Sequence, residues 1–316
     1  SSAASDVYKR QADTSLPPGS ALELAGMLQH PLNRPMTAQG RRRGCAVIQP
    51  RMEVCAGTVR TRIASLWGGD GGFDPYVTAF SDVYQNLCGE GSFAGKGVYD
   101  VAAFVAGTAG KIRENTVLSH DLLEGALCGA SLACDISLYD SQPASLRGWM
   151  RRQHRWTRGD WQLLPWLLPF VRGENGWMRN PLSLLNQFKI YDNLRRSLVP
   201  AAAVLLIIAG MWRGEGMAVL GGLLLPHVRA LLPPSPQSLR AAAARVLLWP
   251  YEAVCLLDAA ARTLWRVLVS RRRLLEWVPS AQAERQGSGR STARFWPNWA
   301  AAGLLLAACL PSPVRL

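Results

Sequence analysis

Histidine is scarce in this chain. Four of the 316 residues are His, at positions 30, 120, 154 and 227, and none stands in an H-E-x-x-H arrangement, so zinc hydrolysis has no support. The seven cysteines never form a C-x-x-C pair, and each sits singly in apolar surroundings. That usage excludes a disulfide frame or a zinc site and fits small buried hydrophobes in a reducing compartment. A basic n-region leading into an apolar h-region is also missing at the N-terminus, so no secretory signal is expected there. No internal repeat stands out. Acidic residues are few, 22 against 35 Lys and Arg, and the imbalance is sharpest in residues 197–316, with 13 basic and 5 acidic side chains. The Arg residues there are interleaved with Leu, Ala and Val runs rather than gathered into a polar stripe. A basic face mixed with apolar runs points to anionic membrane lipid as a partner and away from nucleic acid.

What is present suits one soluble part followed by membrane segments, with 49% apolar residues and a mean hydropathy near zero. Residues 1–11 are small and polar and show no strand or helix pattern, so they read as a non-native leader. Asp13 then opens a turn before Pro17, Pro18 and Gly19, and Leu22, Leu24, Met27 and Leu28 mark an amphipathic helix. Asp13 either caps that helix or supplies a carboxylate to a divalent cation on a nucleotide diphosphate. Residues 45–55 read as a strand that Pro50 confines to an edge or an end. Gly89, Gly91, Gly95 and Gly97 make a Gly-rich loop that lacks the phosphate-loop order, because Gly97 follows Lys96. It is either a plain turn cluster or a place where backbone comes close to a sugar or acceptor.

Two stretches stand out. In VLSHDLLEG, Asp121 and Glu124 open a helical run, either as a capping box or as an acid set out for chemistry. SLACDISLYD follows as a strand ending at Tyr139 and Asp140. SLRGWMRRQHRWTRGDWQLLPW next places Arg151, Arg155 and Arg158 beside Trp149, Trp156 and Trp161, a composition suited to a helix lying in a bilayer interface. Leu198–Trp212 and Met217–Leu232 are apolar but each is short for a span, which takes about 20 residues. Ala241–Val269 suggests a pair of interfacial helices interrupted at Pro250, and Trp296–Leu310 begins a further apolar segment.

Taken together, HPLNRP (30–35), IQPR (48–51), DPY (74–76), SDVYQ (81–85), GEGSF-GKG-YDV (89–101), VLSHDLLEG, HRW-RGDWQLLPW (154–166), NPLS (180–183), DNLRRSLVP (192–200), PYEA (250–253), LVSRRRLLEW (268–277) and AQAE (281–284) resemble the glycosyltransferase module of bacterial cyclic β-1,2-glucan synthases. The resemblance runs from residue 12 to about residue 310. It implies an α/β nucleotide-sugar fold of the GT-A-like kind over residues 12–196, incomplete at its N-terminus, then transmembrane and interfacial helices over 197–316. It also implies a multi-pass protein of the bacterial inner membrane with its catalytic domain in the cytosol. The activity implied is inverting transfer of glucose from UDP-glucose to a growing β-1,2-glucan acceptor, assisted by Mg2+ or Mn2+. Under this resemblance Asp13 is the second carboxylate of a D-x-D metal pair whose first place holds Gln11, and Asp121 is the general base. His120 and Glu124 belong to the residues that bind donor and acceptor. Arg155, Trp156, Arg158 and Asp160 bind donor and acceptor, in a box whose first position, usually Gln, holds Arg152. A synthase of linear osmoregulated β-glucans is the alternative within enzymes, and a non-catalytic membrane module that binds glucan or lipid is the alternative outside them.

Overall fold

A computed structural model describes residues 6–9, 14–38, 41–55, 61, 75–78, 82–118, 120–141, 143, 145–228, 236–276 and 296–309. It divides into two compact units. The first comprises Ser1–Ala144, Gln162–Tyr191 and Arg273–Glu276; the second comprises Ser145–Trp161, Asp192–Arg272 and Trp277–Leu316. The Arg- and Trp-rich stretch therefore groups with the C-terminal helices rather than with the α/β part it was expected to complete.

The first unit carries the strands β1 (Asp6–Lys9), β2 (Thr14–Ser15), β3 (Met36–Ala38), β4 (Arg41–Arg43), β5 (Val47–Val54), β6 (Gly97–Asp100), β7 (Ala130–Asp140), β8 (Phe170–Gly173) and β9 (Gly176–Arg179). Five make a mixed sheet in the order β1-β6-β5-β7-β2, with β5 and β7 parallel and the other pairs antiparallel. Neighbouring residues of a strand point to opposite faces, and Val47 and Ile48 are both buried, so the sheet is covered on both sides as an α/β architecture requires. On the Ile48 side the helix Ser20–Gln29 lays Leu24 and Leu28 against Ile48, Val98, Ala133 and Ile136. The expected amphipathic helix is thus present, with Gly19 as its N-cap.

Two expectations about the sheet change. Residues 6–9, read in the sequence as part of a leader without pattern, form the edge strand β1 against β6. Pro50 lies within β5, inside the sheet, because the register shifts there: Pro50 faces Ala133 and Arg51 faces Ser137. A bulge tolerates the missing N–H, and β6 pairs with β5 only at Val47 and Ile48, short of the proline.

Two of the expected C-terminal segments belong to longer helices. Leu198–Trp212 is the later part of the helix Leu184–Arg213, which passes through Pro200 and is long and apolar enough to cross a membrane. The helix Gly216–Leu224 and a 3-10 turn at Leu225–His227 follow it, and residues 229–232 of the expected apolar segment lie outside the described residues. Pro236–Trp265 is one helix through Pro250, not an interrupted pair. Trp296–Cys309 packs beside it, where Asn298 Nδ2 donates to Leu247 O at 2.6 Å.

Candidate active site

The Gly-rich loop, Gly89–Gly97, joins the helix Val83–Cys88 to β6. Bonds from several elements fix it. Gly91 N donates to Ala130 O at 2.8 Å, and Ala94 N donates at 2.9 Å to Oε1 of Gln49, a fully buried side chain on β5. Lys189, equally buried, donates from Nζ to Glu90 O at 3.3 Å and Gly91 O at 2.7 Å. Asn186 Nδ2 reaches Glu90 Oε1 at 2.7 Å. A loop so tied presents a fixed surface.

Against that surface stands Asp121, first residue of the helix Asp121–Cys128. Gly95 has φ +86°, and a Cβ placed on it would meet Asp121 Oδ2 at 2.5 Å and Cγ at 2.6 Å. The carboxylate therefore lies flat on the bare Cα of Gly95, a contact that any other residue would block. The N-cap is His120, which makes no side-chain cap bond, while Asp121 and Glu124 both stand in the first turn, where their charge suits the helix dipole. The His120 ring instead donates from Nε2 to Val117 O at 2.6 Å, and its carbonyl accepts Glu124 N at 2.7 Å. Gly125 in the same helix admits Phe93 of the loop, whose Cβ lies 2.7 Å from where a Cβ on Gly125 would stand. Helix and loop are fitted to each other through two glycines.

Sequence reasoning missed a buried ion pair at the other end of the loop. Lys96 Nζ lies 2.5 Å from Asp140 Oδ2, and Asp140 Oδ1 accepts Thr14 Oγ1 at 3.3 Å. A lysine inside an otherwise apolar and glycine run was the available signal, since such a charge is rarely buried without a partner. Asp82, in the SDVYQ run, is a second acid tied into this unit: its Oδ1 accepts Tyr84 N at 3.0 Å, and burial pushes its carboxyl above the ordinary range.

Arg155, Trp156, Arg158 and Asp160 belong to the second unit, on the helix Leu146–Gln162. Arg151, Arg155 and Arg158 recur at spacings of four and three, which puts them on one side of the helix. The guanidinium of Arg152 rests 4.3 Å from the Trp156 ring centroid, so the residue that departs from the usual box packs on the box's own tryptophan. Asp160 Oδ1 accepts Asn193 Nδ2 at 3.1 Å, and Asn193 Oδ1 accepts Arg196. Trp161 Nε1 donates to Ser197 Oγ at 3.0 Å. Every residue from Leu146 to Gln162 is buried or half-buried.

Asp13 and Gln11 lie outside the described residues. Among the described residues no group of three or more His, Cys, Asp and Glu could hold a metal ion. Asp140, which faces Thr14 in the sheet, is neutralised by Lys96 and does not offer a free carboxylate to a cation. The residues described therefore do not make a metal centre by themselves.

No protein-family profile matches the chain. Among curated proteins it is 36% identical over 332 aligned positions to the cyclic β-(1,2)-glucan synthase NdvB of Rhizobium meliloti, an alignment that takes in 95% of this chain and 11% of that protein. The chain thus spans about a tenth of the length of its relative. Its motifs and this alignment agree, and the chain is related, over nearly its whole length, to one section of a cyclic β-(1,2)-glucan synthase.

Proposed function

We propose that this chain is the catalytic part of an inverting glucosyltransferase that extends a β-1,2-glucan from UDP-glucose. The observation that carries the reading is the Asp121 carboxylate seated on Gly95, at a loop that several elements hold still. In an inverting transfer the acceptor's 2-hydroxyl oxygen bonds to C1 of glucose from the face opposite UDP. The C1–O bond to the diphosphate breaks, and UDP leaves with the bonding electrons. Asp121 takes the proton from the attacking hydroxyl, a task for which a placed base contributes roughly 10² to 10⁴-fold. Arg155 and Arg158 are cations suited to the diphosphate as its charge grows. Asp160, held by Asn193, braces their helix, and Trp156 stacks on a sugar ring or the base. His120 and Glu124 flank the acceptor side.

A GT-A-like nucleotide-sugar fold belongs to this proposal, as does a divalent cation, Mg2+ or Mn2+, with Asp13 as its ligand. That cation would offset diphosphate charge; no step above depends on it. Membrane association is proposed on the helix Leu184–Arg213 together with exposed apolar side chains on the second unit, among them Leu205, Met217, Leu247, Trp265 and Trp299. Lipid is the partner of that surface, at the bacterial inner membrane, with the first unit in the cytosol.

The test uses the full-length synthase in membranes. Asp121→Asn is expected to lower glucose transfer from UDP-glucose by at least roughly 10²-fold with membrane insertion intact; unchanged turnover would remove the base assignment. Linkage analysis of the wild-type product is expected to show β-1,2 bonds, and β-1,6 branches or another backbone linkage would favour the linear-glucan alternative.

A further inference from the structure

No step of the proposed transfer uses Lys96, yet it is among the most enclosed charges in the first unit. Lys96 and Asp140 are each 3% exposed, and their charged atoms lie 2.5 Å apart. Burying two ions costs several kcal/mol each in lost hydration, and apolar residues of the same volume often serve stability as well or better. Stability alone gives little reason for a pair here. Its placement gives more. Asp140 ends β7, facing Val54 at the end of β5 and Thr14 on β2. One carboxylate oxygen receives Thr14 and the other receives Lys96. Lys96 follows Gly95, which bears the Asp121 carboxylate, and precedes Gly97, where a Cβ would come within 2.2 Å of Ile48 O. The loop can therefore neither rise from β5 nor slide along it without breaking a directional, charge-assisted bond.

We propose that the Lys96–Asp140 pair is a positioning device for the transfer: it fixes Gly95, and through Gly95 the placement of the Asp121 carboxylate, relative to the strand ends. The inference rests on the reading of Asp121 as base. An apolar contact would hold the same elements together but, being non-directional, would not fix their register to tenths of an ångström.

The decisive variant is the double replacement Lys96→Met with Asp140→Leu in the full-length synthase, measured beside Lys96→Arg and Asp121→Asn. The double variant is expected to keep its melting temperature within about 3 °C. Its kcat is expected to fall at least about tenfold, with KM for UDP-glucose changed less than about twofold. Lys96→Arg, which keeps the charge, is expected to retain most of the kcat. Full kcat in the double variant beside an inactive Asp121→Asn overturns the inference alone. Normal turnover by Asp121→Asn overturns the base assignment and the inference with it. A double variant that no longer folds also overturns it, because the pair would then be a structural tie.

Discussion

The two helices that the sequence singled out are held by opposite means. Asp121–Cys128 is short and sits where it does because side chains are missing: Gly95 and Gly125 let carboxylate, loop and helix close to contact. Leu146–Gln162 is long and sits where it does because side chains are present, with Arg152 on Trp156, Asn193 on Asp160 and Ser197 on Trp161. The first should break when a methyl group is added, the second when a polar group is removed.

The largest effect is expected from Gly95→Ala. The new Cβ would fall 2.5 Å from Asp121 Oδ2, and the positive φ disfavours it besides, so the carboxylate is displaced. Transfer should drop about as far as for Asp121→Asn, by roughly 10²-fold or more. Gly89 is the control: its φ is +72°, but a Cβ there meets nothing within 4 Å. Gly89→Ala should cost about 1 kcal/mol in stability and leave turnover nearly intact. Equal losses of activity from the two alanines would show that loop strain, not the carboxylate contact, is what matters.

Next comes Lys189→Met, which removes two hydrogen bonds to loop carbonyls and a cation 5.3 Å from the Tyr84 ring centroid. Leaving buried carbonyls short of a donor costs about 1 to 3 kcal/mol, to be read as a lower melting temperature. On the other helix, Asn193→Ala takes the donor from Asp160 and the acceptor from Arg196. A fall of about 1 to 2 kcal/mol is expected, together with a higher KM for UDP-glucose if this brace serves the donor side. Unchanged KM beside lowered stability would make the brace purely structural.

The contrast also explains what could be read in advance. Local patterns survive: the helix at Leu24 and Leu28, the strand ending at Asp140, and the helical run from Asp121 all follow from periodicity in a few adjacent residues. What was missed depends on distance. Lys96 and Asp140 stand 44 residues apart, and nothing near either one announces the other. Pro50 argued for an edge strand, but a bulge and a short β6 settled the matter from outside the segment. Pro250 reads as a break in the sequence, yet it lies within a 30-residue helix, as Pro200 does in another. Composition alone also does not show that every residue of Leu146–Gln162 is buried or half-buried. Asp13, the one candidate metal ligand, lies outside the described residues.

The smallest effect is expected from pH, and it separates the units again. His154 Nε2 lies 3.0 Å from Asp258 Oδ2, and Arg262 donates to the same carboxylate. Burial holds the imidazole below its usual 6.5; the bond and charge of Asp258 raise it in part, and Arg158 and Arg262 press it down further. Burial by itself would raise the Asp258 carboxyl, but bonds from Arg262 and His154 outweigh that and leave it below the ordinary value. Both folded values are thus depressed relative to the unfolded chain, which takes up protons more readily as acid is added. The stability linked to His154 is fully present above pH 6.5 and is lost as pH falls below it; the part linked to Asp258 follows only below the ordinary carboxylate range. Melting of the detergent-solubilised synthase should therefore come earlier at pH 5.5 than at pH 7.5, at about those two settings. His154→Gln, which cannot take the proton, should flatten that slope, while Gly95→Ala, acting in the other unit, should leave it as steep as in the wild type. A slope that His154→Gln does not change would assign the acid sensitivity to another group.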